Sequence, residues 1–231
     1  MRAVDILQVG EPVLRRKARA LSRDEILSGE TRELIANMRA AMYAGPGVGL
    51  AAPQIGVSAQ AAVIEDRAEY QKDISPEQLA QRERRPVAFH VIINPVIVSG
   101  RVTESSNRPG GMRGGGSRVR PGDTPGDASG DTRVDAPVEF YEGCLSLAGF
   151  VALVPRARTV RVECLDENAT PRVIHATGWY ARILQHEIDH LNGTLYIDRM
   201  CRRTFSSTGN WSRFWKDKAV EEVHAMLTPQ T

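Results

Sequence analysis

Two histidines four residues apart, His186 and His190, constrain the fold of this chain more than any other feature. A spacing of four returns to nearly the same face of an α-helix one turn further on, so two imidazoles can bind one metal ion. Glu187 is rotated by about 100° from His186 around the helix axis and therefore lies beside such an ion rather than on it. A general base for metal-assisted hydrolysis occupies that position in H-E-x-x-H helices. The motif thus predicts a helix that carries a metal site.

The sequence on either side of the motif favours a buried helix. Trp179 and Ile183 share the face of the two histidines. A second apolar stripe consists of Tyr180, Leu184, Ile188 and Leu191. A helix that is apolar on two sides is buried, and the Asn-Gly pair at 192–193 is typical of a helix end. The alternative is a core helix with two hydrogen-bonded histidines. A buried Glu187 without a charged partner is costly, however, so a metal site is the better interpretation.

A catalytic metal site needs three protein ligands and one open position, and the third candidate is a cysteine. The cysteines of the chain are Cys144, Cys164 and Cys201. Cys164 shares one side of an alternating strand with two valines and is interpreted as a core residue. Cys201 follows a charged stretch and is interpreted as a plain thiol. Cys144 differs because Gly143 frees the backbone beside it at the end of an apolar strand. An inert thiol is the alternative for Cys144.

Three segments together resemble the signature motifs of the peptide deformylases, in that family's order. These segments are GVGLAAPQ at 47–54, EGCLS at 142–146 and QHEIDH at 185–190. The resemblance extends from about residue 6 to residue 205, apart from an insert. Details such as GWYAR at 178–182 are most similar to the mitochondrial and plant-organelle branch. Three motifs in the right order are far more specific than any one of them.

The resemblance implies a hydrolase that removes the N-formyl group from the N-terminal methionine of newly made polypeptides and releases formate. Water bound to a metal would attack the formyl carbonyl, with Glu187 as the general base and then the general acid. By the same analogy, the side-chain amide of Gln54 and the backbone N–H of Leu145 would stabilise the oxyanion.

The resemblance also implies one divalent metal ion, held by Cys144, His186 and His190. It points to Fe²⁺ as the native ion. One cysteine with two histidines suits Zn²⁺ equally well on coordination grounds, and Ni²⁺ or Co²⁺ are further alternatives. The ligand set alone does not decide between these ions, because metal availability often does.

Substrate contacts are also expected from the resemblance. The backbone around Val48 and Gly49 would pair with the extended peptide, and Glu142 and Gly143 would belong to the same site. The candidates for the wall of an apolar methionine pocket are Tyr141, Trp179 and Ile183, with ordinary core packing as the alternative. Some members of the family carry an arginine at the position of Val151. Valine cannot form those charge-assisted bonds, so contacts beyond the first substrate residue stay open.

Other functions compete with this interpretation. A zincin-like metallopeptidase also uses H-E-x-x-H, but its third ligand normally follows the helix, whereas Cys144 precedes it. A non-catalytic metal-binding module would fill all four positions and would not need Glu187. The glycines Gly47 and Gly49 superficially fit a dinucleotide-binding turn, but a predicted helix at 31–43 precedes them where a strand is required.

The composition limits which binding partners and which cellular compartment are expected. Lys and Arg total 30 against 28 Asp and Glu, which gives no case for a nucleic acid or a membrane as the main partner. The resemblance implies N-formylmethionyl peptides or nascent chains instead, with a transient ribosome contact as a further hypothesis. Three cysteines do not make a disulfide framework, and a thiolate ligand suits a reducing compartment. We therefore expect a cytoplasmic protein, or alternatively the mature form of a mitochondrial or plastid one.

The chain is expected to form one catalytic domain and a tail. The domain covers residues 1–205 and is interrupted at about 104–135 by an insert rich in Gly, Pro, Arg and Asp. This insert cannot bury enough apolar surface to order itself, so a disordered spacer is predicted. The tail, 206–231, includes a predicted helix at 217–227, and a short strand is predicted at 195–198. The fold class is α+β, with antiparallel or mixed strands around a central buried metal-binding helix.

Overall fold

The structure is a computed structural model that describes residues 4–99 and 136–228. Within these ranges it has eight strands, β1 Gly49–Ala51, β2 Ala61–Asp66, β3 Val87–Ser99, β4 Val138–Cys144, β5 Leu147–Arg156, β6 Thr159–Leu165, β7 Pro171–Thr177 and β8 Ser206–Ser207. The same ranges contain seven α-helices, α1 Arg23–Ile26, α2 Gly29–Ala44, α3 Pro76–Gln81, α4 Gly178–Leu191, α5 Tyr196–Arg199, α6 Thr208–Phe214 and α7 Val220–Leu227. The predicted insert at 104–135 lies outside the described residues.

The strands form two antiparallel sheets. Five strands make the larger sheet in the order β1-β2-β3-β6-β7, and β4, β5 and β8 make the smaller one. Each named pair of neighbouring strands runs antiparallel. The α+β class with antiparallel strands is therefore confirmed.

The larger sheet is buried on both faces, which follows from the period of two along its strands. In β2, Ala61 and Val63 belong to one apolar cluster, whereas Ala62 and Ile64 belong to the other. Cys164 on β6 joins the second cluster, together with Val160 and Val162, as predicted for a core cysteine. Helix α2 covers one face and helix α4 covers the other.

Helix α2 agrees with the helix predicted at 31–43. Ser28 caps its N-terminus by accepting a hydrogen bond from the N–H of Thr31 at 3.2 Å. Met38 and Met42, one turn apart, are fully buried against the sheet. The loop after α2 leads directly into β1, so the helix fixes where the glycine-rich segment begins.

Helix α4 is the buried helix that the H-E-x-x-H pattern predicts. Ten of its fourteen residues are buried. Its first residue, Gly178, has φ +57°, and a Cβ there would lie 2.6 Å from the carbonyl oxygen of Arg82. A glycine is thus required where β7 turns into the helix. The helix ends at Leu191, with Asn192 as the C-cap, as the Asn-Gly pair predicts.

Two predicted elements after α4 need correction. Residues 195–198 are not a strand, because the side chain of Asp198 accepts the N–H of Leu195 at 2.8 Å and starts helix α5. The apolar pattern there reflects the burial of Tyr196 beneath β5, where its hydroxyl donates to the carbonyl of Phe150 at 3.2 Å. The tail helix predicted from 217 begins at Val220, and α6 before it was not predicted. Among the described residues, no helix is both long and apolar enough to cross a membrane.

Candidate metal centre and active site

The structure brings Cys144 to the two histidines of α4. Cys144 is the last residue of β4, and its Sγ lies 3.2 Å from Nε2 of His190. One ligand atom from each of Cys144, His186 and His190 lies within 4.8 Å of the others. The sheet end and the helix therefore place three ligands of the predicted types at one point.

The donor set fits a divalent transition metal. Nδ1 of His186 lies 3.0 Å from Oε2 of Glu142, which fixes the ring and leaves the second ring nitrogen for a ligand role. Nδ1 of His190 is buried and has no hydrogen-bond partner among the described residues. A thiolate with two imidazoles is a ligand set typical of zinc and of iron. These residues therefore form a candidate three-ligand metal site.

A buried network of charged side chains holds Glu142, the residue that contacts Nδ1 of His186. The guanidinium of Arg156 donates two bonds to the carboxylate of Glu142, at 2.9 and 3.0 Å, and Arg182 donates a third at 2.6 Å. Burial alone would raise the pKa of Glu142, but Arg156, His186 and Arg182 hold it well below its usual range. Glu142 is therefore an anion that orients His186.

The two histidines have opposite electrostatic environments. Burial lowers the pKa of His186, but the neighbouring Cys144 and Glu142 outweigh burial and raise it well above its usual range. Burial and then the neighbouring His186 lower the pKa of His190 well below its usual range. A neutral His190 has a lone pair that can bind a cation.

Glu187 lies directly against the glycine-rich loop. A Cβ built on Gly49 would be 2.2 Å from Oε1 of Glu187, so only glycine allows this approach. Oε2 of Glu187 is buried and has no hydrogen-bond partner among the described residues. Burial raises the pKa of Glu187 to about 7. Such a carboxyl group can both accept and donate a proton near neutral pH.

Gln54 directs its amide nitrogen towards the same point. Its Oε1 accepts the backbone N–H of Ala51 at 2.8 Å, which orients the side chain. Its Nε2 lies 3.6 Å from Sγ of Cys144 and 3.2 Å from the hydroxyl of Ser146. Leu145 lies between Cys144 and Ser146 in the chain. The 47–54 and 142–146 motifs therefore meet beside the predicted ligands.

A cavity of about 370 Å³ opens at this point. Of the predicted site residues, its lining includes Val48, Gly49, Gln54, Gly143, Cys144, Leu145, His186 and Glu187. Val151, where some family members carry arginine, also lines it. The remaining candidate ligand, His190, is almost fully buried. The cavity therefore joins the three motifs in one concave surface.

Four predicted substrate residues do not line this cavity. The side chain of Tyr141 packs on Trp211, with ring centroids 6.0 Å apart, because it faces the tail. Trp179, the second residue of α4, contacts Phe140 and three arginines instead. Ile183 is in the apolar core between α4 and the sheet. Glu142 is buried and contacts Nδ1 of His186 instead. A contact of these four with substrate stays a prediction.

Three residues of this region were not predicted from the sequence. Arg182 binds Glu142 and precedes His186 by four residues, a spacing that places both on one helix face and was a usable signal. Ser146 holds the amide of Gln54, within a motif that was already recognised. Thr208 of α6 lines the cavity, but nothing in the sequence connects the tail to the motifs.

The fold and the site together define an α+β protein with a candidate three-ligand metal centre formed by a strand end and a buried helix. A sequence model of polypeptide deformylases matches residues 3–205. The chain belongs to the polypeptide deformylase family.

Relatives from organelles support this membership. The chloroplastic peptide deformylase 1A of Solanum lycopersicum is 37% identical over 206 residues, which are 89% of this chain and 62% of the relative. The mitochondrial peptide deformylase of Homo sapiens is 36% identical over 202 residues, 87% of this chain and 70% of the relative. The chain thus spans less than two thirds of the chloroplastic relative. The predicted similarity to organellar deformylases is confirmed.

Solved structures have the same fold. A peptide deformylase of Synechococcus elongatus in complex with actinonin matches with a TM-score of 0.58 and 30% identity, over 96% of this chain and 90% of that one. A Met-Ala-Ser-bound class I type b peptide deformylase of Acinetobacter baumannii matches with a TM-score of 0.62 and 26% identity, over 86% of this chain and 98% of that one.

Proposed function

We propose that this protein is a peptide deformylase, a metal-dependent amide hydrolase that removes the formyl group from N-formylmethionyl peptides and nascent chains. The observation that carries the proposal is one cavity that joins Cys144 and His186 with Glu187 and Gln54. These residues supply a metal centre, a proton carrier and an oxyanion donor, which are the parts that hydrolysis of a formamide needs.

Cys144, His186 and His190 would hold one divalent ion. When bound, the ion supplies a Lewis acid and lowers the pKa of a coordinated water from 15.7 to about 7. Family likeness favours Fe²⁺, while Zn²⁺, Ni²⁺ and Co²⁺ suit the same donors. Metal analysis of anaerobically purified protein, compared with activity after reloading each ion, identifies the native metal.

Glu187 moves the proton in the proposed reaction. Its partnerless Oε2 accepts a proton from the attacking water, and the same carboxyl group then donates it to the departing amine. The water oxygen and its second hydrogen become part of formic acid, which ionises to formate and a proton. The C–N bond breaks, and the peptide leaves with a neutral amino terminus. The packing of Glu187 against Gly49 holds the carboxyl group in place for both transfers.

Gln54 and Leu145 stabilise the oxygen that becomes negative in this reaction. The hydrogen bond from Ala51 to Oε1 of Gln54 leaves its NH₂ directed at the cavity, beside Cys144. The backbone N–H of Leu145 is proposed as the second donor. Removal of one such donor typically lowers the rate by about 10²- to 10³-fold.

The substrate main chain is proposed to run along Val48, Gly49 and Gly143, which line the cavity. Val151 on β5 faces the same space with a short apolar side chain, so charge-assisted contacts with the peptide are not expected from it. A reducing interior, either the cytoplasm or an organelle, suits the thiolate ligand and is the proposed location.

Paired peptides test this function. The metal-loaded protein is incubated with formyl-Met-Ala-Ser and with acetyl-Met-Ala-Ser, and formate and free amine are measured. We expect formate release from the first peptide and no cleavage of the second. Cleavage within the peptide would indicate a zincin-like peptidase instead, and metal binding without any hydrolysis would indicate a non-catalytic module.

Glu187→Gln tests the assigned base. The amide keeps the shape of the side chain but cannot accept the proton, so turnover should fall by about 10²-fold or more while the bound metal stays. Glu163→Gln, which alters an exposed carboxylate on β6, is the matched control and should leave turnover unchanged. Near-normal turnover by Glu187→Gln would refute the role given to Glu187.

A further inference from the structure

A second group of metal-ligand side chains lies outside the site described above. It consists of Glu139 on β4, Cys201 after α5 and His224 on α7, with one ligand atom of each within 4.8 Å of the others. Glu139 precedes Cys144 by five residues on an extended strand, which separates the two sites by about 16 Å along the chain. His224 also lies beyond the residues that the family model matches, 3–205.

We propose that Glu139, Cys201 and His224 form a second binding site for a divalent transition metal of the zinc class, with water as the fourth ligand. A thiolate, an imidazole and a carboxylate are the three side-chain types that bind Zn²⁺. They come from three separate elements, so an ion there would join α7 to the smaller sheet.

Two of the distances in this cluster are close to those between the ligands of a zinc ion. Ligand atoms around a tetrahedral zinc ion lie about 3.3–3.6 Å apart, given metal–ligand bonds of 2.0–2.3 Å. Sγ of Cys201 lies 3.4 Å from Oε1 of Glu139, which already has this spacing. Nε2 of His224 lies 2.5 Å from Oε2 of Glu139, a hydrogen-bond distance that must widen by under about 1 Å. The side chain of His224 is 44% exposed and has room for that movement.

The elements around the cluster hold it in position. The backbone N–H of Cys201 donates to the carbonyl of Leu153 at 2.8 Å, and the hydroxyl of Thr204 donates to the carbonyl of Cys201 at 2.7 Å. Val223, next to His224, is fully buried and anchors α7. Cys201 and His224 thus reach Glu139 from fixed backbones, which reduces the ordering needed to bind an ion.

Proton release accompanies binding at this site. Cys201, expected from the sequence to be a plain thiol, instead donates to Glu139. As the donor of this hydrogen bond, Cys201 carries its thiol proton. An ion would replace this proton as the S–H bond breaks and an S–metal bond forms, with the proton passing to solvent. The ion would also replace the hydrogen bond between Nε2 of His224 and Oε2 of Glu139, so His224 would bind it as the tautomer that has its proton on Nδ1.

Zinc stoichiometry tests the proposal. Metal-stripped full-length protein is reloaded with micromolar Zn²⁺, freed of unbound ion and assayed for zinc per chain. His224→Gln and Cys201→Ser should each bind one equivalent less than the unaltered protein. His175→Gln, which removes an exposed histidine on β7, is the matched control and should bind as much as the unaltered protein. Equal zinc content in the unaltered protein and in His224→Gln would overturn the site.

Alkylation of the unaltered protein gives a second test, and its result does not depend on whether a variant folds correctly. Zinc bound by Cys201 should slow its modification by iodoacetamide about tenfold, because the bound sulfur is no longer available as a nucleophile. Mass spectrometry of the peptide that contains Cys201 reports this rate separately from Cys144 and Cys164. A rate that micromolar Zn²⁺ leaves unchanged would contradict metal binding by Cys201.

Discussion

At the scale of single residues, the missing side chain of Gly49 determines where Glu187 lies. A Cβ on Gly49 would be 2.2 Å from Oε1 and 2.7 Å from Cδ of Glu187. Glu187 is buried, so it has little space into which it can retreat. Gly49 also lines the cavity, and its role is therefore to let a carboxyl group approach the backbone rather than to make the loop flexible.

Gly49→Ala should therefore impair turnover more than stability. The added methyl group displaces the carboxyl of Glu187 from its position, and loss of a positioned acid–base group lowers the rate by about 10²- to 10⁴-fold. Deformylation rates and thermal unfolding of the same samples measure both effects. Gly29→Ala is the control, because a Cβ there meets nothing within 4 Å, and it should keep full activity. Equal rates for the two variants would contradict this explanation of Gly49.

The residue types at the centre were predictable, whereas their supporting contacts were only partly so. The spacing of His186 and His190 on one helix face follows from helix geometry alone. Cys144 required the recognised motif order, because one cysteine among three has no local signature of a ligand. The contact of Ser146 with Gln54 depends on how two distant loops meet. No pattern within either loop contains that information.

At the scale of elements, one buried guanidinium connects β4, β5 and α4. Arg156 ends β5, donates to Glu142 on β4 and forms an ion pair with Asp189 on α4. Arg182 also binds Glu142, and Arg199 binds Asp189 at 2.7 and 2.8 Å. Because Glu142 orients His186, the same network that joins the elements also positions a proposed metal ligand.

Arg156→Met should therefore destabilise the protein strongly. It removes the charge between two buried carboxylates, and breaking a buried pair costs about 3–5 kcal/mol. We expect about 3 kcal/mol, the lower end, because Arg182 and Arg199 still partner these carboxylates. Urea unfolding measures the change. The control is Arg161→Met, whose exposed pair with Glu163 should be worth under about 1 kcal/mol. Similar losses of unfolding free energy in the two variants would show that the buried network stabilises the protein no more than an exposed ion pair does.

Apolar periodicity in the sequence predicted the helices that bury one regular face. It failed at residues 195–198, where a side-chain cap decides the structure. Helices α2 and α4 have apolar residues at helical spacing and were predicted close to their observed bounds. The prediction at 195–198 was wrong, because an apolar pattern of four residues fits either structure and the cap by Asp198 decides for a helix. Helix α6 was missed because none of its residues is buried, so it has no apolar period.

At the scale of the whole molecule, the proposed metal centre joins parts of the chain that are far apart in sequence. Cys144 ends a strand of the smaller sheet, whereas His186 and His190 lie on the helix that covers the larger sheet. The class of fold was predictable from the sequence, because buried strands and a buried helix each have their own period. The wall of the cavity was not, because it depends on how the two sheets and the tail pack together.

Removal of the metal should consequently lower the melting temperature of the whole chain. A ligand present at 100 times its Kd stabilises the folded state by about 2.7 kcal/mol, which corresponds to roughly 5–10 °C for a chain of this size. The measurement compares zinc-loaded and chelator-treated His224→Gln protein, so that only the centre formed by Cys144 and the two histidines contributes. In the same background, Cys144→Ser should melt at one temperature with or without the chelator. If the two states of His224→Gln also melt together, no ion connects the sheet to the helix, and the buried ion pairs of Arg156 with Glu142 and Asp189 link them without a metal.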